Sequence, residues 1–426
     1  MSVLVLGAAV SGRAAATLLR ALGEKVVVYD ADTDALAGVD ADAHYGGDWL
    51  PGLLDGVDLV VTSPGISPAS PPLAAALASE LPVWSELELA WRHLRTPLGA
   101  VTATNGKTTV TEAAAAMLVA SGLDAIAAGN IGNPLCAEVG AERNVLVVEA
   151  SSFQLAFVER FHTPAAVLLN VAPDHLDWHG TVDHYVASKQ RILERQVPED
   201  IVVYDRDDPG AAAAVAVATA RRVAVSGRQV TADGFGREGS SLRLGDVVVP
   251  TDELGRHDDV FLVDLAAAAA LALHLGATAD GIAGAARAYR PGRHRRQLIG
   301  EWDGVRWVDD SKATNPHAAL ASIRSFGSVV LIAGGRAKGL DLTPLAAEPG
   351  VRQVIGIGEA GPALVAASRA GRMAVDMAEA VRIAAEVAEP GDTVLLAPGA
   401  ASFDMFASYA ERGDTFARLA VETKGR

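Results

Sequence analysis

Apolar runs that stop abruptly in small or polar residues recur from one end of this chain to the other, and that rhythm commits it to an α/β fold. The opening segment VLVLGAAVSGRAAATLLRALGEKVVVYDAD sets the pattern: an apolar run, a glycine turn, a stretch of helical period, then a second apolar run that closes on Asp30. This is a βαβ unit, two parallel strands joined through a helix. DLVVTSPG, NVLVVEASS, PAAVLLNVAPDH, DIVVYDRDD, SVVLIAGGRAKG, QVIGIGEAG and DTVLLAPGAAS continue the rhythm. In open parallel sheets ligands collect at the carboxyl ends of strands, so chemistry is expected where these runs stop.

The 426 residues allow two to four domains. WRHLRTPLG, closed by Pro97, and YRPGRHRR read as connections between them. The pattern therefore predicts a Rossmann-like domain over 1–97, a central P-loop ATPase-like domain with a parallel sheet over 98–290, and a C-terminal Rossmann-like α/β domain over 291–426. Within the central section, residues 222–260 alternate short β-like runs with Gly and Asp, and an alanine-rich helix follows from about Asp264. Hinges at the two connections predict domain closure around ligands.

A formal net charge of −16 makes nucleic acid and anionic lipid poor partners. The single cysteine, Cys136, forms no internal disulfide and supports a reducing compartment. MSVLVLGAAV lacks a basic n-region and is interrupted by Arg13, so it reads as a buried strand, and no run approaches membrane-spanning length. A cytoplasmic protein is expected. The sequence sets no oligomeric state, and a monomer is the expectation.

Two strand-to-helix turns carry phosphate chemistry. Gly7-Ala8-Ala9-Val10-Ser11-Gly12 opens the first helix, where free backbone N–H groups and the helix dipole converge. Asp30 lies at the end of the second strand, where an acid meets a ribose or a base. Ala9 replaces the middle glycine of the dinucleotide fingerprint, so the turn fits a nicotinamide cofactor, another phosphate-bearing ligand or plain βα packing. The second turn is LGAVTATNGKTTVTEAAAAML, with the tight Asn105-Gly106 turn, Lys107 to reach phosphates, and hydroxyls at Thr108 and Thr109. Val101 stands where a Walker A loop has its first glycine, and the competing reading is a Gly-Lys-Thr that merely starts a helix. Thr108 is placed to put its oxygen on Mg²⁺. Glu149 ends a strand, as a metal ligand or as a solvated acid. His175 follows another strand, and Lys189 falls on the helix after it. His175 and His179 also have zinc-ligand spacing, but no third ligand accompanies them.

TATNGKTT, VVEASSFQL, NVAPDHLDWHG, SKQRI, GRHRRQ, VDDSKATNP and APGAASFDMF occur in the order and at about the separations found in Mur ligases. The chain resembles that family over essentially its whole length. These are ATP-dependent enzymes that add amino acids to the bacterial cell-wall precursor. DSKATN, GGRAKG and the small-residue loop before Ser402 are most similar to the members that join D-glutamate to UDP-N-acetylmuramoyl-L-alanine. The resemblance thus implies a ligase of peptidoglycan synthesis, serving cell shape and division, that forms an amide bond through an acyl phosphate. A shortened phosphate loop is ordinary in this family, which accounts for Val101. Ala103 stands where the family usually has glycine; its methyl excludes a positive φ at low cost, so either the loop avoids that geometry or the phosphate approach changes.

Residue by residue, the resemblance implies that Lys107 contacts the β- and γ-phosphates, with Asn105, Gly106 and Thr109 around them. Thr108 and Glu149 would hold one Mg²⁺, and His175 would serve a second. Lys189 resembles the family lysine that takes up CO₂ as a carbamate, turning a cation into a metal-binding anion. Arg295 and Asp310 look like contacts to nucleotide phosphate and ribose, with Lys312 adding positive charge. Thr314, Lys338, Ser402 and Phe403 resemble the D-glutamate pocket, with Tyr409 beside it. Ser11 and Gly12 would meet the diphosphate of the UDP-sugar, Asp30 and Ala31 the uracil, and Ser63 and Gly65 would close over the nucleotide. Asn130 and Gln154 would reach the substrate from the central domain. The family's asparagine pair for adenine is missing from DVFLVDLAAAAA, where Asp264 is the polar candidate. Alternatives are a sibling ligase for another amino acid, the folate polyglutamylating enzyme, a nicotinamide oxidoreductase built on the first βαβ unit, and a P-loop regulatory protein.

Overall fold

Runs of apolar residues without alternation form strands when helices cover both sheet faces, and here they do. The computed structural model of the chain describes residues 1–424. They divide into two compact units: Met1–Val171 with Thr181–Tyr289, and Ala172–Gly180 with the residues from Arg290 onward.

In the first unit, β1 (Ser2–Leu6), β2 (Lys25–Asp30), β3 (Ala43–Gly46), β4 (Leu59–Thr62) and β5 (Val83–Ser85) form a parallel sheet in the order β3-β2-β1-β4-β5. A second parallel sheet contains β6 (Leu98–Thr102), β7 (Ala125–Gly129), β8 (Val145–Glu149), β9 (Ala165–Leu168), β10 (Ile201–Asp205) and β11 (Arg221–Val225), ordered β11-β10-β9-β6-β8-β7. In each sheet the founding strand, β1 or β6, lies inside, with later strands laid down on both sides of it. That reversal opens a crevice at its carboxyl end. β12 (Phe235–Glu238), β13 (Ser241–Leu244) and β14 (Val247–Pro250) make a small antiparallel sheet from the region read as alternating β runs.

The alanine-rich helix Asp259–His274 is buried from Phe261 to Ala272, as expected of a helix that is apolar all round. Asp258 caps it, accepting from the Phe261 N–H at 3.2 Å. It packs against the helix Lys107–Ala120, whose inward face is also alanine-rich, so the two backbones approach closely. Gly99 of β6 lies under the end of this helix, where a Cβ would stand 2.7 Å from the Leu275 side chain.

The helix Glu86–His93 joins the first two sheets through buried carboxylates. Glu88 is fully buried and accepts the Glu159, Arg160 and Phe161 N–H groups at 2.9–3.1 Å, while Trp91 donates its indole N–H to the His162 carbonyl at 2.8 Å. Glu86 is less well served: one oxygen accepts from the Cys136 N–H and the other is buried with no partner. Burial pushes its carboxyl up to about 7, against the opposing pull of the Cys136 N–H. A carboxyl raised on folding supports the fold while protonated, so this contribution is present below the ordinary pKa of 4.5 and lost as pH rises to about 7. Urea unfolding of Glu86→Gln should therefore show a smaller loss of stability between pH 5.5 and pH 8 than the unsubstituted protein. The difference at the upper end should be on the order of 2–3 kcal/mol. Parallel pH profiles for the two proteins would overturn this.

In the second unit, β15 (Gln297–Trp302), β16 (Val305–Asp309), β17 (Val329–Gly334), β18 (Val351–Ile357), β19 (Gly371–Met373) and β20 (Thr393–Leu396) are ordered β15-β16-β20-β17-β18-β19. Only β15 runs antiparallel to its neighbour. β20, the last strand, inserts between β16 and β17, so the carboxyl ends of these three lie side by side. Among the described residues, no helix is long and apolar enough to cross a membrane.

Candidate functional site

The loop between β6 and its helix has the strand–turn–helix geometry that a phosphate cradle requires. Gly106, at the N-cap, has φ +89°, and a Cβ there would stand 2.5 Å from a carboxylate oxygen of Asp264, so glycine is required for both angle and space. Asp264, the polar candidate of the long helix, thus lies directly against the loop and is buried. Ala103 is fully buried and is not among the residues with positive φ, so the loop avoids the geometry its methyl would resist. The loop is held from β9: the Asn170 carbonyl accepts the Thr104 N–H at 3.0 Å, and the Asn170 side chain exchanges hydrogen bonds of 2.8 and 2.9 Å with the backbone of Asn105.

Two ammonium groups meet at this loop. Lys107 Nζ donates to the Ala103 carbonyl at 2.8 Å and to the Thr104 carbonyl at 3.1 Å. Lys189 Nζ donates to the same Ala103 oxygen at 2.8 Å and lies 4.7 Å from the centre of the Tyr185 ring. Lys189 is 1 % exposed. An ordinary surface lysine of a helix keeps its head in water, so this burial demands a reason.

Beside them, β8 delivers Glu149 to the sheet edge, 3 % exposed. One of its oxygens accepts from Asn130 Nδ2 at 2.9 Å; the other is buried without a partner. A carboxylate oxygen left so inside a protein is costly unless a cation or donor completes it. Gln154 is similar: its oxygen closes a capping box with Ser151, while its Nε2 is buried with no acceptor. Thr108, at the second position of the helix, stands half-buried. Thr108, Glu149 and Lys189 all belong to the first unit, whereas His175 belongs to the second. Among the described residues, no group of three or more His, Cys, Asp or Glu is arranged as a metal cluster.

At the first sheet, Gly7 has φ +94° and a Cβ on it would stand 2.6 Å from Ser63 Oγ; a Cβ on Gly12 would run into the Gly7 carbonyl. Strand end, helix start and the β4 loop are thus in close contact, and Ser63 Oγ is buried there with no partner. Asp30 accepts the Ala8 N–H at 2.7 Å and the Asp32 N–H at 2.9 Å, so it fixes the turn as well as standing at the strand end. Ser11 is half-buried, and Ala31, Gly65 and Asn130 are exposed.

In the second unit the candidates gather at the ends of β16, β20 and β17. Asp310 accepts the Arg296 N–H at 3.1 Å and lies 3.7 Å from its guanidinium. The Lys312 ammonium sits 3.8 Å over the Tyr409 ring. Thr314 donates its N–H to the Lys312 carbonyl at 2.9 Å. Arg336 and Ala401 exchange backbone hydrogen bonds of 3.0 Å, which clamps the Lys338 loop to the Ser402 loop. Ser402 is buried and the neighbouring Phe403 is 66 % exposed, an apolar ring left in solvent. Arg295 is half-buried on the strap leading to β15.

Residues 172–180 form a short excursion that brings His175 to this unit, at φ +53°. Asp174 anchors it. Its carboxylate accepts from Lys338 Nζ at 3.1 Å, Asn315 Nδ2 at 2.8 Å and the His175 N–H at 2.8 Å. Burial alone would raise this carboxyl, but His175, Lys338 and Asn315 outweigh it and hold it below the usual range.

Sequence reasoning missed Asn170, Asp174, Asn315 and Arg412. Arg412 is 1 % exposed and donates to Ser311 Oγ, the Ser311 carbonyl and the Ala400 carbonyl at 2.9–3.1 Å, tying two site loops together; burial lowers its guanidinium to about 10. Asn170 and Asp174 lay inside the stretch NVAPDH already singled out, and their neighbours at a strand end were the available signal.

Residues 101–247 match the Mur ligase middle domain, and residues 294–400 match the Mur ligase glutamate ligase domain. The UDP-N-acetylmuramoylalanine–D-glutamate ligase of Frankia casuarinae is 43% identical over 100% of this chain and 95% of its own length. The enzyme of the same name from Pelotomaculum thermopropionicum is 38% identical, over 99% of this chain and 98% of its own. Among solved structures, MurF from Acinetobacter baumannii shares the fold with a TM-score of 0.65, covering 98% of this chain and 93% of that one at 16% identity.

Proposed function

Because the chain belongs to the Mur ligase family, we propose that it is the ATP-dependent ligase that joins D-glutamate to UDP-N-acetylmuramoyl-L-alanine in peptidoglycan precursor synthesis. The observation that carries this reading is full-length similarity to enzymes of that name, on a chain whose phosphate loop is flanked by two ammonium groups and a half-satisfied buried carboxylate. The alanyl carboxylate attacks the γ-phosphorus of ATP, ADP departs, and an acyl phosphate forms. The amine of D-glutamate then adds to the acyl carbon, loses a proton and expels inorganic phosphate.

This chain's task is to hold anions together in line. Lys107, now turned onto loop carbonyls, swings to the β- and γ-phosphate oxygens, while the loop N–H groups from Asn105 to Thr109 and the dipole of the helix Lys107–Ala120 receive the rest. The partnerless oxygen of Glu149 and the Thr108 hydroxyl fit a divalent cation, and His175 and Lys189 are proposed for a second ion. Mg²⁺ bound there supplies charge neutralisation of the phosphate oxygens. Lys189 is proposed to carry CO₂ as a carbamate: the ammonium loses one proton to become the nucleophilic amine, a nitrogen–carbon bond forms and a second proton leaves, so that a buried cation beside Lys107 becomes an anion. Asp310 is assigned to the ribose, Arg295 and Lys312 to the nucleotide phosphates, and Thr314, Lys338, Ser402, Phe403 and Tyr409 to D-glutamate. In the first sheet, Ser11 and Gly12 are assigned to the diphosphate, Asp30 and Ala31 to the uracil, and Ser63 and Gly65 to closing over the nucleotide. Asn130 and Gln154 are assigned to the substrate arm, and Asp264 to the adenine side of the loop. Assignment of domains to 1–97, 98–290 and 291–426 follows the same reading, as does a cytoplasmic monomer.

Phosphate release in the presence of ATP, Mg²⁺ and UDP-N-acetylmuramoyl-L-alanine tests this. D-glutamate should stimulate it, and L-alanine, L-lysine and meso-diaminopimelate should leave it at background. Stimulation by one of those amino acids in place of D-glutamate would move the chain to a sibling activity.

A further inference from the structure

The reaction needs the amino-acid pocket and the His175 turn to be correctly placed at the same time, yet 172–180 is an excursion whose own residues make no core. The Asp174 side chain connects it to the loops of that pocket. Asp174 is 4 % exposed, and its two oxygens receive the His175 N–H, the Lys338 ammonium and the Asn315 amide. Asn315 passes the connection on: its own side-chain oxygen caps the helix Pro316–Ile323, accepting from the Ala318 N–H at 2.9 Å, directly after Thr314. Lys338 is itself held at φ +53° in the loop after β17. The three elements that meet at this carboxylate are therefore the His175 turn, the Thr314 loop and the Lys338 loop.

Building on the proposed reaction, we infer that Asp174 is a positioning residue that couples the D-glutamate pocket to the His175 turn: it fixes the Lys338 ammonium for the amino acid's carboxylate and, with the same charge, pins the turn carrying His175. Only a carboxylate does both. It accepts on every face, whereas an amide must present a donor to either Lys338 or Asn315, both of which donate. By reciprocity, a ligand that orders Lys338 also orders the turn.

Asp174→Asn keeps the volume and removes the charge. It is expected to raise KM for D-glutamate about tenfold or more, the worth of a charge-assisted hydrogen bond. KM for the UDP substrate should stay within about twofold, since its contact set is not touched. Asp174→Glu should recover part of the loss. In a double-mutant cycle with Lys338→Met, the two substitutions together should cost well under the product of their separate effects, because each breaks the same link. Amide hydrogen exchange of 172–180 should speed up in Asp174→Asn, and D-glutamate should slow it in the unsubstituted protein only. An unchanged KM for D-glutamate, equal changes in both KM values, an additive cycle, or exchange in 172–180 indifferent to D-glutamate would overturn the inference. D-glutamate-dependent turnover of the unsubstituted protein tests the underlying reaction separately. If a different amino acid is the substrate, the cycle and the exchange experiment are run with that one.

Discussion

Lys107→Met should lower turnover by about a thousandfold, the scale on which a single preorganised charge at a transferring phosphoryl group contributes. The substitution keeps the length and apolar stem of the side chain and removes only its ammonium. That ammonium is bound to the carbonyls of Ala103 and Thr104, groups of the loop itself, and the Ala103 oxygen keeps the Lys189 ammonium when it is gone. The urea midpoint is therefore expected to move little while kcat collapses, and the ratio of the two changes is the diagnostic. A variant within tenfold of normal activity would remove Lys107 from the chemistry, and with it the phosphate-cradle reading of the turn.

The second large effect concerns Lys189. Lys189→Ala should abolish turnover, again by about a thousandfold or more. Bicarbonate should restore part of it by filling the vacated channel with an oxyanion. Because the whole side chain is buried, the truncation also opens a cavity and should cost about 2–5 kcal/mol of stability. Lys189→Met separates the two consequences: it keeps the stem, so stability should largely return, yet it leaves no room for an added anion, so bicarbonate should do nothing. Rescue of the methionine variant, or full activity of the alanine variant, would dispose of the carbamate. Carbon-13 bicarbonate incorporated at this position in the unsubstituted protein is the direct observation.

What could be read from the sequence was what lies close together along it. β1, β6, β8, β9, β17 and β20 announce themselves because a strand covered on both faces is apolar at nearly every position, and these are buried at all or all but one. The phosphate loop is legible for the same reason, since strand, turn, lysine and helix are consecutive. β3, β5 and β19 were not legible: they are short edge strands, largely exposed or half-buried, and carry no continuous apolar signal. The supporting side chains were hidden by separation. Asp174 meets Asn315 across 141 positions, Arg412 meets Ser311 across 101, and Asn170 meets Asn105 across 65. No periodicity marks such a pair in a single chain, and an aspartate directly after a proline looks like any turn residue until the fold closes around it. The Ala103 question was answerable only from backbone angles, which the residue type constrains but does not assign.

The chain leaves its first unit after Val171, returns at Thr181 and departs for good at Arg290. A polypeptide threaded this way resists dissection. Expressing Met1–Tyr289 alone would strand Asp174 without Asn315 and Lys338, and expressing the remainder alone would deprive those two of their acceptor. Neither half inherits a finished surface, so truncation libraries and split-protein designs cut at residue 290 should yield insoluble pieces, while recombination between homologues must exchange 172–180 together with the C-terminal segment to keep its partners in register.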